Sequence, residues 1–318
     1  MLIQTARDRW RWQLIKPSYW PLWLGIGLLF LLVQLPYPWL QSLGKLLGRW
    51  SIHWAKRRVH IARCNLQLCF PEYSSWQIEQ RLIATFESVG MGLLESGMAW
   101  FWSDRRIRRW SHLQGLEIIH QLQQSQRNIL LVSMHFCTME LCARILGLQC
   151  PAVGVYMPHK YPLLEWLQVW GRLRSNKALV DRRSLKAMVR QLKQGEILWY
   201  APDHDYGPRT SAFTPFFAVD KAATTLGTHF LWRQSQAAIM LVIPKRLPQG
   251  KGYTVQLLPP LNVAANCEPI ELARQLNQKM EQAILQVPEQ YLWLHRRFKT
   301  RPAGEPSLYH SRNQKRKD

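Results

Sequence analysis

The six cysteines of this 318-residue chain (Cys64, Cys69, Cys137, Cys142, Cys150, Cys267) form no CxxC pair and no His/Cys cluster with zinc-ligand spacing. That argues against a structural zinc module and predicts no metal. In a chain of this size the cysteines read as reduced, mostly buried thiols of a cytosolic domain. No GxSxG nucleophile motif is present, which argues against a serine acyl-enzyme. No internal repeat is visible. Acidic residues are scarce: 20 Asp and Glu stand against 42 Lys and Arg, a formal charge of +22. Such a surface calls for acidic company, whether nucleic acid, an anionic membrane or acidic substrates and carriers.

What is abundant is tryptophan, with 16 residues. Aromatics crowd the first 54 positions, among them Trp10, Trp12, Trp20, Trp23, Trp39 and Trp50. An amphipathic ring has both phases it wants at a membrane–water interface, so this belt favours a membrane over nucleic acid. Leu22 to Leu35 (LWLGIGLLFLLVQL) carries no charge and is flanked by basic residues on both sides. Extended to Tyr19–Trp39 it reaches the ~20 residues a spanning helix needs, although Pro36 and Pro38 would break it. No small-x-small cleavage site follows, so the segment is expected to stay attached. The sequence predicts a single N-terminal membrane anchor helix, either single-pass or lying in one leaflet. The basic cluster from Lys45 to Arg63 favours a main domain facing the cytoplasm.

Beyond the anchor, Ser74 and Gln77 form a capping-box pattern that opens a long apolar-periodic helix. Short β runs follow at 129–132, 152–156, 197–201, 239–243 and 253–258. They alternate with helical patterns at 139–146, 163–170, 185–193 and 222–234, and a final helix is expected over 269–286. Strands alternating with helices predict an α/β domain with a mostly parallel central sheet flanked by helices. The expected organisation is a basic flank (1–18), the anchor segment (19–39), a catalytic domain (40–306) and a basic disordered tail (307–318).

In such a sheet, ligands gather beyond the carboxyl ends of the strands. His135 leaves the apolar run Ile129–Val132, and Glu140 lies five positions on, at the start of a helix. An acid holding one imidazole nitrogen leaves the other free as a base, so the pair can deprotonate a hydroxyl. A lone histidine is more often structural, but a second loop changes the balance. Ala201-Pro202-Asp203-His204-Asp205-Tyr206-Gly207-Pro208 follows another buried run and carries two acids and a histidine. Two polar-loaded loops at strand ends are expected to face one another across a site. Gly171 to Lys177, with Arg172, Arg174 and Lys177, adds cations for phosphate or carboxylate groups.

The segments HFCTME, VYMPHKYPLLEWLQVWGRLRSNK, LWYAPDHDYGP and PEQYLWLHRRFKTRP, taken together, resemble the late acyltransferases of lipid A biosynthesis. The likeness runs from about Arg57 to Pro306 and is nearest to the lauroyl branch that acts on Kdo2-lipid IVA. The HxxxxE pattern alone would reach only the wider glycerolipid acyltransferase superfamily. The resemblance implies a glycerolipid acyltransferase-like fold in the bacterial inner membrane. It implies transfer of a fatty acyl chain from acyl-acyl carrier protein, a co-substrate rather than a cofactor, to a hydroxyl of a 3-hydroxyacyl chain. His135 would be the general base and Glu140 its orienter, with Arg172 and Asp203 at the family's other functional positions. Asp205, Arg174 and Lys177 are expected to support the site or bind substrate. The expected partners are acyl carrier protein, Kdo2-lipid IVA and anionic inner-membrane lipids, without nucleic acid. The alternatives are palmitoleoyl or myristoyl transfer, a lysophosphatidic-acid-type acyltransferase, or a basic membrane-tethered binding protein without catalysis.

Overall fold

The computed structural model describes residues 2–4 and 10–309. Part of the basic flank (Arg7, Arg9) and most of the expected tail (310–318) lie outside the described residues. A two-residue strand, β1 (Leu2–Ile3), is followed by the apolar helix α1 (Trp20–Leu32) and by α2 (Tyr37–Ser51). The helix α3 (Lys56–Cys69) leads to α4 (Ser75–Phe101), the 27-residue helix expected from the capping box. Ser74 Oγ accepts the Gln77 N–H at 3.3 Å, and Gln77 Oε1 accepts the Ser74 N–H at 2.8 Å. Two of the helix's otherwise orphaned N–H groups are thereby satisfied.

The α/β portion begins with α5 (Asp104–Arg109), β2 (Ser111–Gln114), α6 (Leu116–Gln124), β3 (Ile129–Val132) and α7 (Met139–Gly147). It continues through β4 (Val153–Tyr156), α8 (Pro162–Arg172), β5 (Ala178–Asp181), α9 (Leu185–Lys193) and β6 (Ile197–Tyr200). The hairpin β7 (Ser211–Phe216) and β8 (Val219–Thr225) comes next. The last elements are α10 (Gly227–Ser235), β9 (Ala238–Arg246), β10 (Tyr253–Leu257) and α11 (Pro269–Ile284). The main sheet has the order β1-β5-β4-β6-β3-β9-β10-β2. Its five central strands, β5, β4, β6, β3 and β9, run parallel. β1 and β10 join antiparallel to β5 and β9. Strands β3 and β6 are buried at every residue, as a sheet covered on both faces requires.

The expected helix over 222–234 is corrected, because residues 222–225 belong to β8 and the helix starts at Gly227. The reason is tertiary: Thr224 Oγ1 accepts from Asn277 Nδ2 of α11 at 2.9 Å and lies 3.1 Å from Thr214 Oγ1 of β7. Those bonds reward an extended hairpin over helical periodicity.

The spanning form of the anchor is also corrected. Residues 19–39 divide at 33–36 into α1 and α2, with Pro36 beginning the new helix direction. At 1.5 Å per residue, α1 is about 20 Å long, short of the ~30 Å hydrocarbon core. Among the described residues no helix is long and apolar enough to cross a membrane. The N-terminal segment instead packs on the domain: Leu14 and Ile26 are buried with Leu163 and Leu167 of α8. Its outer face remains apolar, with Trp20, Leu24, Leu28, Leu31 and Trp39 all more than half exposed.

Candidate active site

Because β3 and β6 are neighbours in the sheet, the loops leaving their carboxyl ends meet. The β3 loop carries His135 and the β6 loop carries Asp203. His135 Nδ1 lies 2.7 Å from Asp203 Oδ1, and the His135 backbone N–H donates to Asp203 Oδ2 at 2.9 Å. A carboxylate can only accept, so the imidazole proton sits on Nδ1 and Nε2 is the free nitrogen. Asp203 is fully buried, whereas the His135 side chain is 22% exposed. Burial alone would push Asp203 up, but the His135 charge and its two hydrogen bonds outweigh it and hold the carboxyl well below the usual range. Asp203 is therefore an anion at neutral pH.

The expected pairing of Glu140 with His135 is thus corrected. Glu140 sits in the first turn of α7 and faces Arg172, the last residue of α8. Arg172 Nε lies 3.1 Å from each Glu140 oxygen, and its Nη2 closes a second contact to Oε1. A planar guanidinium meeting a carboxylate edge-on is the stronger match, and it takes Glu140 away from the imidazole. Burial lowers the Arg172 pKa, but Glu140 more than compensates, so the net direction is upward. The helix start places Glu140 where it can still line the site: His135, Glu140 and Arg172 all border one cavity of about 520 Å³. The walls of that cavity include Met139, Ala143, Val155, Leu179, Trp199 and Tyr200.

The remaining candidates lie elsewhere. Asp205 accepts the Thr300 N–H at 2.6 Å and the Thr300 Oγ1 hydroxyl at 2.8 Å, tying the β6 loop to the C-terminal segment. Arg174 turns away to donate to the Trp100 carbonyl and rests over the Trp170 ring. Lys177 is a solvent-facing partner of Glu196 at 2.6 Å. None of these three borders the cavity.

Sequence reasoning missed several contributors. The segment 288–297 docks behind the β3 loop. The Leu292 N–H donates to the His135 carbonyl at 2.9 Å, and the Cys137 N–H donates to the Gln290 carbonyl at 2.8 Å. Tyr291, Trp293, Arg297 and Phe298 are buried. The same segment brings His295 against His204, and His204 stacks on His135. On the cavity side, Glu165 accepts from the Tyr156 hydroxyl at 2.8 Å and the His159 N–H at 2.7 Å, fixing the loop after β4. A buried acid four residues into a helix-like sequence gives no signal of that role before folding.

His135, Asp203 and His204 also form the one donor set among the described residues close enough to hold a metal ion, with ligand atoms within 4.8 Å of one another. Two ligands bonded at 2.0–2.1 Å around a tetrahedral ion stand about 3.3 Å apart. The 2.7 Å His135–Asp203 contact is the spacing of a shared proton, and the stacked rings do not converge on one point. The geometry is that of an acid–base dyad.

Residues 8–300 match the family described as bacterial lipid A biosynthesis acyltransferase. The chain is 53% identical over 296 residues to the lipid A biosynthesis lauroyltransferase of Escherichia coli K12, covering 93% of this chain and 97% of that protein. It is 46% identical to the palmitoleoyltransferase of the same organism, with the same coverage of each. To the myristoyltransferase of that organism it is 26% identical, over 95% of this chain and 92% of the other.

Proposed function

This chain belongs to the bacterial lipid A biosynthesis acyltransferase family and is an acyltransferase, and from that premise we propose which acyl group it moves, between which partners, and by which residues. The donor is an acyl-acyl carrier protein thioester. The acceptor is a hydroxyl on a 3-hydroxyacyl chain of Kdo2-lipid IVA, and the acyl group is lauroyl. The lauroyl reading rests on the 53% identity, set against 46% for the palmitoleoyl relative.

The observation that carries the mechanism is the His135–Asp203 dyad at the edge of a cavity walled by apolar side chains. His135 Nε2 removes the acceptor hydroxyl proton as the oxygen attacks the thioester carbonyl. Asp203, held anionic, keeps the Nδ1–H tautomer and stabilises the imidazolium that forms. The tetrahedral intermediate collapses with cleavage of the C–S bond, and the imidazolium returns its proton to the departing thiolate. No acyl-enzyme and no cofactor enters this scheme. Glu140 and Arg172 border the same cavity, where their ion pair ties α7 to α8. Arg182, which borders the cavity, adds a second cation.

The exposed apolar face of α1 and α2 suits a shallow attachment in one leaflet, with anionic lipids meeting the basic flanks. This monotopic reading places the enzyme on the cytoplasmic face of the inner membrane, where acyl carrier protein is available. The test is an assay of the purified enzyme with acyl carrier proteins charged with chains of different length and Kdo2-lipid IVA, with products read by mass spectrometry. A dominant lauroyl product supports the reading. Activity with lysophosphatidic acid and none with Kdo2-lipid IVA would overturn it.

A further inference from the structure

Three imidazoles from three separate chain segments lie in one column. His135 follows β3, His204 follows β6, and His295 belongs to the segment after α11. The His135 and His204 ring centroids are 3.4 Å apart with planes 12° from parallel, and His204 and His295 are 3.8 Å apart at the same angle. Such separations are van der Waals contact between ring faces and leave no room for water.

We propose that His204 is a positioning residue for the base: stacked on His135 and backed by His295, it fixes the plane of the His135 ring while Nε2 takes the substrate proton. This rests on the reading of His135 as the base. The Asp203 hydrogen bond holds the imidazole at one edge, but a ring held at one edge can still pivot about that bond. A flat face pressed on it at 3.4 Å blocks the pivot. Asp203 and His204 are consecutive, so one loop supplies both the edge contact and the face contact. The backing ring is itself anchored. Buried Asn65 donates to the Trp293 and His295 carbonyls at 2.6 and 2.7 Å, clamping that turn onto α3.

Two further observations separate this column from an ordinary hydrogen-bonded histidine cluster. The Nε2 atoms of His204 and His295 are buried with no hydrogen-bond partner among the described residues, while the ring faces are in contact. Burial, helped by the charges of His135 and Arg297, outweighs the opposing pull of Asp203 and keeps both rings neutral, His204 pushed down to about 2 and His295 to about 4. A proton taken up from the acceptor therefore stays on His135, beside Asp203, instead of being shared along the column.

The test compares His204→Ala, which removes the ring, with His204→Phe, which keeps a flat ring of similar size and removes the nitrogens. Thermal melting confirms folding of each, and kcat and KM are measured for both substrates. Small misplacements of a catalytic group can cost about 10²-fold. A loss of that order in kcat is expected for His204→Ala, with KM changed much less, and His204→Phe should recover most of it. Folded His204→Ala with wild-type kcat, a defect confined to KM, or His204→Phe as impaired as His204→Ala would each overturn the proposal. His135→Ala runs alongside: if it retains transfer, the base assignment falls, whereas an inactive His135→Ala beside an unaffected His204→Ala overturns the stack alone.

Discussion

Replacing Asp203 with Asn distinguishes the carboxylate that holds the imidazole in the structure from Glu140, the orienter expected from the sequence. The substitution keeps the side-chain shape but leaves one acceptor oxygen for two donors, the His135 backbone N–H and Nδ1–H, so the amide NH2 faces one of them and the Nδ1–H tautomer is no longer enforced. What disappears is the negative charge 2.7 Å from the imidazole. Across that distance the attraction for an imidazolium is about 6 kcal/mol at an effective dielectric of about 20, which bounds the loss at roughly 10⁴-fold in rate. Part of that attraction offsets the cost of burying Asp203, so a fall in kcat of about 10²- to 10⁴-fold is expected, with KM nearly unchanged. Single-turnover transfer from acyl-acyl carrier protein reads the chemical step directly, and a melting curve checks that the variant is folded. If Asp203→Asn stays within tenfold of wild type while Glu140→Gln loses about 10³-fold, Glu140 orients the base and the assignment drawn from the structure is wrong.

Glu140→Gln and Arg172→Gln should each destabilise by roughly 3–5 kcal/mol, because each leaves a largely buried charge without its partner. The double variant should cost clearly less than the sum in chemical denaturation, and strict additivity would show that the pair is not coupled. His204 and His295 have folded-state pKa values below the ordinary 6.5, so the unfolded chain takes up protons first and stability falls as pH drops below about 6.5. The slope reaches about 1.4 kcal/mol per pH unit for each ring. Urea midpoints at pH 7 and 5.5 should differ accordingly, and the double Phe variant should flatten the trend; equal midpoints for wild type would refute it. A Cβ at Gly154 would meet Leu179 Cδ2 at 3.1 Å on the cavity wall, so Gly154→Val should shift products toward shorter acyl chains. Each excluded methylene is worth about 0.8 kcal/mol, or roughly fourfold in preference. An unchanged product spectrum from a mixed acyl pool would place the chain elsewhere. Leu24→Ser with Leu28→Ser should release the enzyme from anionic vesicles in flotation without changing its melting curve, and retention on the vesicles would count against attachment through α1.

Much of the fold was legible because its signals are local. The Ser74–Gln77 box needs no partner beyond four residues, and it began α4 where expected. The apolar runs at 129–132 and 197–200 are strands buried on both faces, so burial itself writes them into the sequence. Strand β5 has no such local signal: Ala178–Asp181 is a short run that becomes a strand through its pairing with β4. The turn of 222–225 into a strand depended on Asn277, more than fifty residues away. Helical periodicity could not anticipate that bond.

The sequence by itself determined which residues bring chemistry: a histidine at one strand end, acids at another, an arginine at a helix end, and an apolar, tryptophan-rich N-terminus. Those are matters of residue type and local pattern. Tertiary structure decided who pairs with whom. In sequence Glu140 is five positions from His135 and Asp203 is 68 away, yet adjacent parallel strands bring Asp203 to the imidazole, and α8 presents Arg172 to Glu140. Tertiary structure also decided between the two expected forms of the anchor segment, breaking the spanning form into a 13-residue helix packed on α8. Hydrogen bonds and ion pairs act over a few ångströms, and the separation that matters to them is set by strand order.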